Sequence, residues 1–438
     1  MANFKVKNGL QAGRYLLNST TLSGSTIDLS LANMFSTTLS SDPAYAFTNP
    51  PPSGTAQAFS VEVTGGTTNF TNDTFATTLY AGTGAAQTIT NGLDLSTDGG
   101  LVWIKERGNS RNHHLVDTER GIGDGIRALR SNLTDAEYYQ AGYDAYEVTS
   151  ANSDGFSLGL NLTNETNRSG STYVSWAFKK QSSFFDIVTY TGDGTDDRTV
   201  SHNLGSTPGM VIVKRTSGAD SWMVLHRSLP SNNLLLNLTV AASSLRIKAM
   251  DSTTFTLNTN AQVNGSGESY VAYIFGHDTS DDSLIKCGSY TGVGSGAVDV
   301  DLGWGPQFIL VKNTSRLTDW PIQDTTRGMS QTEWNPLYTN LSQAELDIAS
   351  DRVVPTSTGF TINNNGSNDF GQSGDTVIYM AIRASAATDS AITWPSSVKW
   401  PSGLAPTTPA AGTKDLFTFL TTDGGTTYYG KKAAEGIA

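Results

Sequence analysis

Carboxylates recur in this chain beside basic residues at a fixed spacing. Asp117 lies 12 residues after Lys105 and is followed 3 residues later by Arg120; Asp324 has the same relation to Lys312 and Arg327. Asp117, Glu119, Asp324 and Glu333 are the carboxylates that acid/base chemistry could draw on, and a glycosidase would need two of them about 5 to 9.5 Å apart in a sugar-sized cleft. A carboxylate that returns together with its own lysine and arginine reads instead as a structural ion-pair cluster orienting the turn after a strand. Lys105, Asp117, Arg120, Lys312, Asp324 and Arg327 are assigned that role, and no residue is assigned to catalysis. A third copy of the pattern, Lys214 with His226 and Leu229, lacks the ion pair altogether.

Eight residues beyond the same three lysines stand His113, Trp222 and Trp320. An indole exposed there would stack on a sugar or anchor a protein contact, so these three are the candidate ligand-binding residues. The competing reading is that each caps the core of its own sandwich. His113 and His114 could ligate a metal, but neighbours on a strand point to opposite faces and seldom share an ion. Asp193-Gly-Thr-Asp-Asp197 and Asp299-Val-Asp301 offer oxygen ligands to calcium without the register of an EF-hand loop, and they read as acidic turns. No metal and no cofactor are expected. There is no Gly-x-Ser-x-Gly elbow, Walker loop or His-Glu-x-x-His, and the Gly-x-Gly pairs at Gly82, Gly192 and Gly292 lack the helix a phosphate cradle needs.

The elements that would position these residues repeat as well. A Tyr/Gly turn (Tyr80-Ala-Gly-Thr-Gly, Tyr190-Thr-Gly-Asp-Gly, Tyr290-Thr-Gly-Val-Gly) precedes an apolar strand ending in Lys105, Lys214 or Lys312. Each copy closes with Phe156-Ser-Leu, Phe255-Thr-Leu or Phe360-Thr-Ile and a last strand beginning at Thr172, Ser269 or Thr376. The period is 109 and then 98 residues, far above the roughly 20 to 50 of solenoid rungs, which predicts separate domain-sized beads. Runs such as Met210-Val-Ile-Val are apolar throughout, as expected where both faces are covered, and Thr253-Thr-Phe-Thr-Leu alternates as a half-buried strand does. The fold class is all-β, with antiparallel, jelly-roll-like sandwiches. Ser342-Gln-Ala-Glu-Leu-Asp-Ile-Ala is the best helix candidate.

The chain has 438 residues, a net charge of −12 and 16% charged residues. That balance opposes nucleic-acid binding, and neither a signal-peptide core nor a membrane span is expected. The single cysteine, Cys287, excludes an intrachain disulfide and reads as a small buried hydrophobe. Asn-X-Ser/Thr triplets such as Asn164-Glu-Thr and Asn237-Leu-Thr read as by-products of composition.

The ends differ from the repeats. Ile27-Asp-Leu-Ser through Phe59-Ser-Val-Glu-Val, together with Ile392-Thr-Trp-Pro through Thr422-Asp-Gly-Gly-Thr-Thr-Tyr-Tyr-Gly, resembles a small β-module of tail-fibre and other virion proteins of tailed bacteriophages, especially those of marine bacteria and cyanobacteria. Trp103-Ile-Lys, Asp117-Thr-Glu-Arg-Gly, Gly155-Phe-Ser-Leu and Tyr173-Val-Ser-Trp are similar to a concanavalin-like or laminin-G-like sandwich repeat of the same proteins. The division expected is residues 1–65 and 389–438 as two halves of a terminal module, with repeats at 66–182, 183–280 and 281–388 inserted between them. A lone Phe59 strand would leave backbone groups unpaired, which calls for a partner from the C-terminal segment.

The resemblance implies a structural virion protein rather than an enzyme, assembled in the host cytoplasm and fitted to the particle, most simply at its tail for host attachment. The partners implied are other virion proteins, further copies of the chain with a trimer as one option, and a bacterial surface glycan. The alternatives are a capsid decoration, head fibre or baseplate/nozzle piece, and a polysaccharide depolymerase.

Overall fold

A computed structural model describes residues 19–22, 26–38, 45–53, 56–64, 67–70, 73–280, 283–329, 334–348, 352–389, 392–401, 403, 405–406 and 413–437. The protein is nearly all β, with sandwich-like repeats. It divides into two compact units, one made of both ends, Met1–Thr71 with Ser385–Ala438, and one running from Asn72 to Ala384. Among the described residues no helix is long and apolar enough to cross a membrane.

In the end unit, strand Gln57–Thr64 lies between Met34–Thr38, parallel to it, and Lys414–Thr421, antiparallel to it. Its backbone groups are thereby paired on both edges. Phe59 is the register partner of Phe419, and their rings stack at 5.0 Å over a core that includes Phe35, Val61, Phe417 and Trp394.

In the second unit each repeat is a larger sheet packed on a smaller one. The middle repeat shows the order: Phe185–Thr191, Ser269–Phe275, Met210–Arg215, Met223–His226 and Leu234–Leu235 in the larger sheet, and Arg198–Ser201, Thr254–Leu257 and Ile247–Met250 in the smaller. The third repeat has the same order, beginning with Ile285–Thr291. In the first, the larger sheet has four strands, Phe75–Ala81, Thr172–Lys179, Gly100–Glu106 and His114–Asp117, and a bridge from Leu115 to Leu129 replaces the fifth.

The repeats are not separate beads. Alternation sends Val211 and Val213 into the core of their own sandwich, and Met210 and Ile212 into a second core shared by all three repeats. Leu101, Trp103 and Phe178 enter that shared core from the first repeat, Phe308, Leu310 and Met380 from the third. The ring of Phe178 meets Phe275 at 5.5 Å and Phe308 at 6.1 Å, so three repeats touch at one residue. The reason is in the strands: a two-layer sandwich covers one face of each sheet, and a sheet apolar on both faces needs a further layer. The other repeats supply it.

The glycine turns follow from close approach. A Cβ on Gly82 or Gly192 would stand 2.2 or 2.1 Å from the carbonyl oxygen of Arg168 or Gly265, and the second glycine of each pair, Gly84 or Gly194, has φ of +75° or +73°. The helix expected from Ser342 does not form: residues 342–347 carry no regular structure. Instead the Glu345 N–H donates to the carbonyl of Arg107 in the first repeat, at 2.8 Å. Cys287 lies on strand Ile285–Thr291 and is buried in the shared core.

Candidate functional site at the joints between repeats

The residues singled out by spacing converge on three joints. Repeat 1 meets repeat 2, repeat 2 meets repeat 3, and repeat 3 closes the cycle on repeat 1. At each joint a backbone N–H of one repeat donates to the carbonyl two residues past the lysine of the next: Glu137 to Thr216, Ala242 to Thr314, Glu345 to Arg107.

His113, Trp222 and Trp320 are buried, not exposed. Trp222 Nε1 donates across the joint to the carbonyls of Arg130 and Leu133, each at 3.1 Å, and Trp320 Nε1 to that of Leu235 at 3.0 Å. His113 Nε2 lies 2.9 Å from the carbonyl of Tyr338, while its Nδ1 accepts from Trp103 Nε1 at 2.8 Å. These contacts assign the neutral tautomer with the proton on Nε2. An indole with no exposed face cannot stack on a sugar, and these three do not cap only their own sandwich either. They fasten neighbouring repeats through cross-joint carbonyls that take the ring N–H as a second hydrogen bond: Arg130, Leu235 and Tyr338 already accept the backbone N–H of Leu133, Leu238 and Leu341.

Two of the lysines serve the same joints. Lys214 Nζ donates to the Thr134 carbonyl at 3.2 Å and Lys312 Nζ to that of Thr239 at 3.0 Å, each in the preceding repeat. Lys105 Nζ donates within its own repeat, to the Glu106 carbonyl at 2.7 Å. Burial lowers the pKa of all three to about 8.

The carboxylates form two equivalent networks. Asp117 accepts from Arg120 Nε at 2.6 Å and from the Tyr273 hydroxyl of repeat 2 at 2.7 Å, and Arg120 Nη1 reaches Glu137 at 2.7 Å. Asp324 accepts from Arg327 Nε at 2.6 Å and from Trp176 Nε1 of repeat 1 at 2.9 Å, with Glu345 3.6 Å from Arg327. Burial disfavours the Arg120 charge, but Asp117, Tyr273 and Glu137 outweigh it and hold its pKa above the ordinary value. The third joint replaces every member. His226, Leu229 and Ala242 occupy the places of the aspartate, arginine and glutamate, and Met380 that of Tyr273 or Trp176. Methionine has no proton to donate, so a carboxylate opposite it would be buried unpaired. His226 turns the bond round, with Nε2 3.1 Å from the Tyr379 carbonyl, and Leu229 and Ala242 pack on the shared core.

Three further residues belong to this set, and the sequence carried their signal. Asn132, Asn237 and Asn340 accept the backbone N–H of His113, Trp222 and Trp320 at 3.1, 3.0 and 3.0 Å. They begin Asn-Leu-Thr, Asn-Leu-Thr and Asn-Leu-Ser. The triplet that reads as a by-product of composition is a repeated structural motif.

The remaining candidates do not join the site. His114 points away from His113, 3.2 Å from Glu165, as strand alternation requires. Glu119 pairs with Lys180. Asp196 and Asp197 pair with Lys248, and Asp301 accepts the Gly303 N–H. Among the described residues no three His, Cys, Asp or Glu side chains gather as a metal would require. Glu333 lies outside the described residues.

The family model for DUF7483, a domain of unknown function, matches residues 71–385. The chain belongs to that family. The DUF7483 match coincides within a residue at each end with the compact unit Asn72–Ala384, so the family unit is the closed set of three repeats and not one repeat. No curated protein matches the chain. A solved structure described as "Crystal Structure of the STIV MCP" aligns over 76% of this chain and 94% of that chain at 8% identity with a TM-score of 0.14, a value that carries no statement about a shared fold.

Proposed function

We propose that the protein is a structural component of a tailed-phage particle, fitted at the tail and used in host attachment. The observation that supports this best is the use made of the reactive side chains. Asp117, Asp324, His113 and His226, whose side-chain types could do acid/base work, are consumed in joining repeats, with Arg120 and Arg327 as the charge partners of the two aspartates. Such a unit offers a rigid, chemically quiet body, suited to architecture and binding. The end unit, with its mixed sheet from both termini, is the part proposed to fasten to other virion proteins or to sister copies. The resemblance of its two halves to a phage virion module motivates that assignment. A head-decoration or baseplate role would use the same rigidity without a receptor.

The test is a cryo-EM map of the intact particle. Density for the chain at the tail, with the three-repeat unit projecting outward, is the outcome expected. Density on the head, or repeats enclosed between neighbouring proteins, would replace attachment with an architectural role. Absence from the particle would remove both readings.

A further inference from the structure

With the tryptophans buried, a ligand must be met elsewhere. The joint between repeats 1 and 2 opens outward as a cleft of about 370 Å3 whose lining includes Arg127, Glu137, Thr189, Thr191, Thr216 and Ser269. The sheet face that buries Ile187, Tyr273 and Ile212 in the shared core changes residue type as it leaves the core. By the two-residue alternation of strands, Thr189 and Thr191 continue the face of Ile187, and Ser269 that of Tyr273. A row of hydroxyls thus forms one wall. On the opposite face of the same strands, toward the core of repeat 2's own sandwich, Tyr190 and Tyr270 stack at 5.0 Å, and their hydroxyls are committed to the carbonyls of Val263 and Ala261.

The opposite wall belongs to repeat 1. Arg127 Nη1 donates to Glu137 Oε2 at 3.3 Å and its Nη2 to Asp124 at 3.0 Å, while Arg120 is matched by Asp117 and Glu137. Each guanidinium already faces carboxylates, so a free anion finds no uncompensated cation, and a cation finds each carboxylate engaged. Nor is there an apolar wall to hold a hydrophobic ligand. What remains is a set of donors and acceptors at close intervals, the arrangement that a compact, uncharged group with adjacent hydroxyls can satisfy on every side.

We infer that this cleft binds a neutral saccharide unit, with adjacent ring hydroxyls meeting the Arg127–Glu137 pair and the Thr189, Thr191, Thr216 and Ser269 row. The molecule contains its own control. Repeat 3 carries hydroxyls at the equivalent places, Ser289, Thr291, Thr314 and Thr376, but across its joint repeat 2 has Leu229 in the place of Arg120 and Ala242 in the place of Glu137, so the carboxylate that pairs with Arg127 has no counterpart there. The inference rests on the attachment reading, yet the two fail separately: the particle map reports location, and the experiment below reports only binding.

Saturation-transfer NMR on the full chain tests it, with maltose, lactose and mannobiose as probes and sialyllactose and tetra-alanine as comparators. At least one neutral disaccharide is expected to receive saturation. Arg127→Met and the paired change Thr189→Val with Thr191→Val should each weaken that binding roughly tenfold, the effect of losing one or two hydrogen bonds. The valines suit an edge strand and leave the fold intact. Ser289→Val with Thr291→Val should leave binding unchanged. The inference is overturned if no neutral disaccharide binds the folded chain, if binding survives both cleft variants, or if only sialyllactose or tetra-alanine binds.

Discussion

Buried histidine gives the clearest residue-scale consequence. His113 and His226 each keep Nδ1 as an acceptor, from Trp103 Nε1 and from the Ser228 N–H, so a second proton would set donor against donor. Burial is the first cause that lowers both pKa values to about 3, reinforced at His113 by Lys105 and partly opposed at both by the bonds to backbone carbonyls. A folded value below the ordinary 6.5 means that the unfolded chain takes up protons first as pH falls. The stabilisation is therefore whole above about pH 6.5 and is lost progressively toward pH 3. Thermal melts across that window should show a falling midpoint with a steep limb below pH 6. A flat profile would mean that the histidines are not held neutral at the joints.

At the scale of the element, a joint is a matched set and not a collection of contacts. His226→Asp alone would bury a carboxylate opposite Met380 with Leu229 in place of its cation, which should cost about 3 to 5 kcal/mol. Adding Leu229→Arg and Met380→Tyr supplies the guanidinium and hydroxyl that Asp117 receives from Arg120 and Tyr273, and should recover most of the loss. Denaturant midpoints of the single and triple variants decide the matter. Equal midpoints would show that the polar and apolar joints do not depend on their partners. The Asp-to-His and Arg-to-Leu exchanges are visible in the sequence at fixed offsets from the lysines. Their reason is not, because the donor that differs, Met380 against Tyr273 and Trp176, lies in another repeat.

At the scale of the molecule, the shared core makes the repeats interdependent. A chain trimmed to residues 72–384 is expected to fold and to unfold in one transition, while residues 183–280 alone should fail to fold, since Met210, Ile212, Tyr273 and Phe275 would then face water. Calorimetry and near-ultraviolet circular dichroism distinguish the outcomes. A folded, cooperative single repeat would restore the picture of independent beads. That picture followed from a domain-sized period, and period alone does not say which face of a sheet is covered by its own repeat and which by a neighbour.

The sequence by itself determined the β class, the three repeats and their landmark residues, because alternation, glycine turns and fixed offsets are local properties of the chain. It also marked the joint residues by type and spacing: Lys105, Asp117, Arg120, Lys312, Asp324 and Arg327 with their aromatic companions. Only the tertiary structure decided what those residues do. Whether Trp222 faces a sugar or the carbonyl of Arg130 depends on what lies across a joint, and that partner is about ninety positions away in the sequence. Side-chain type sets which bonds a residue can make, and the packing of three sheets on one core sets which it does.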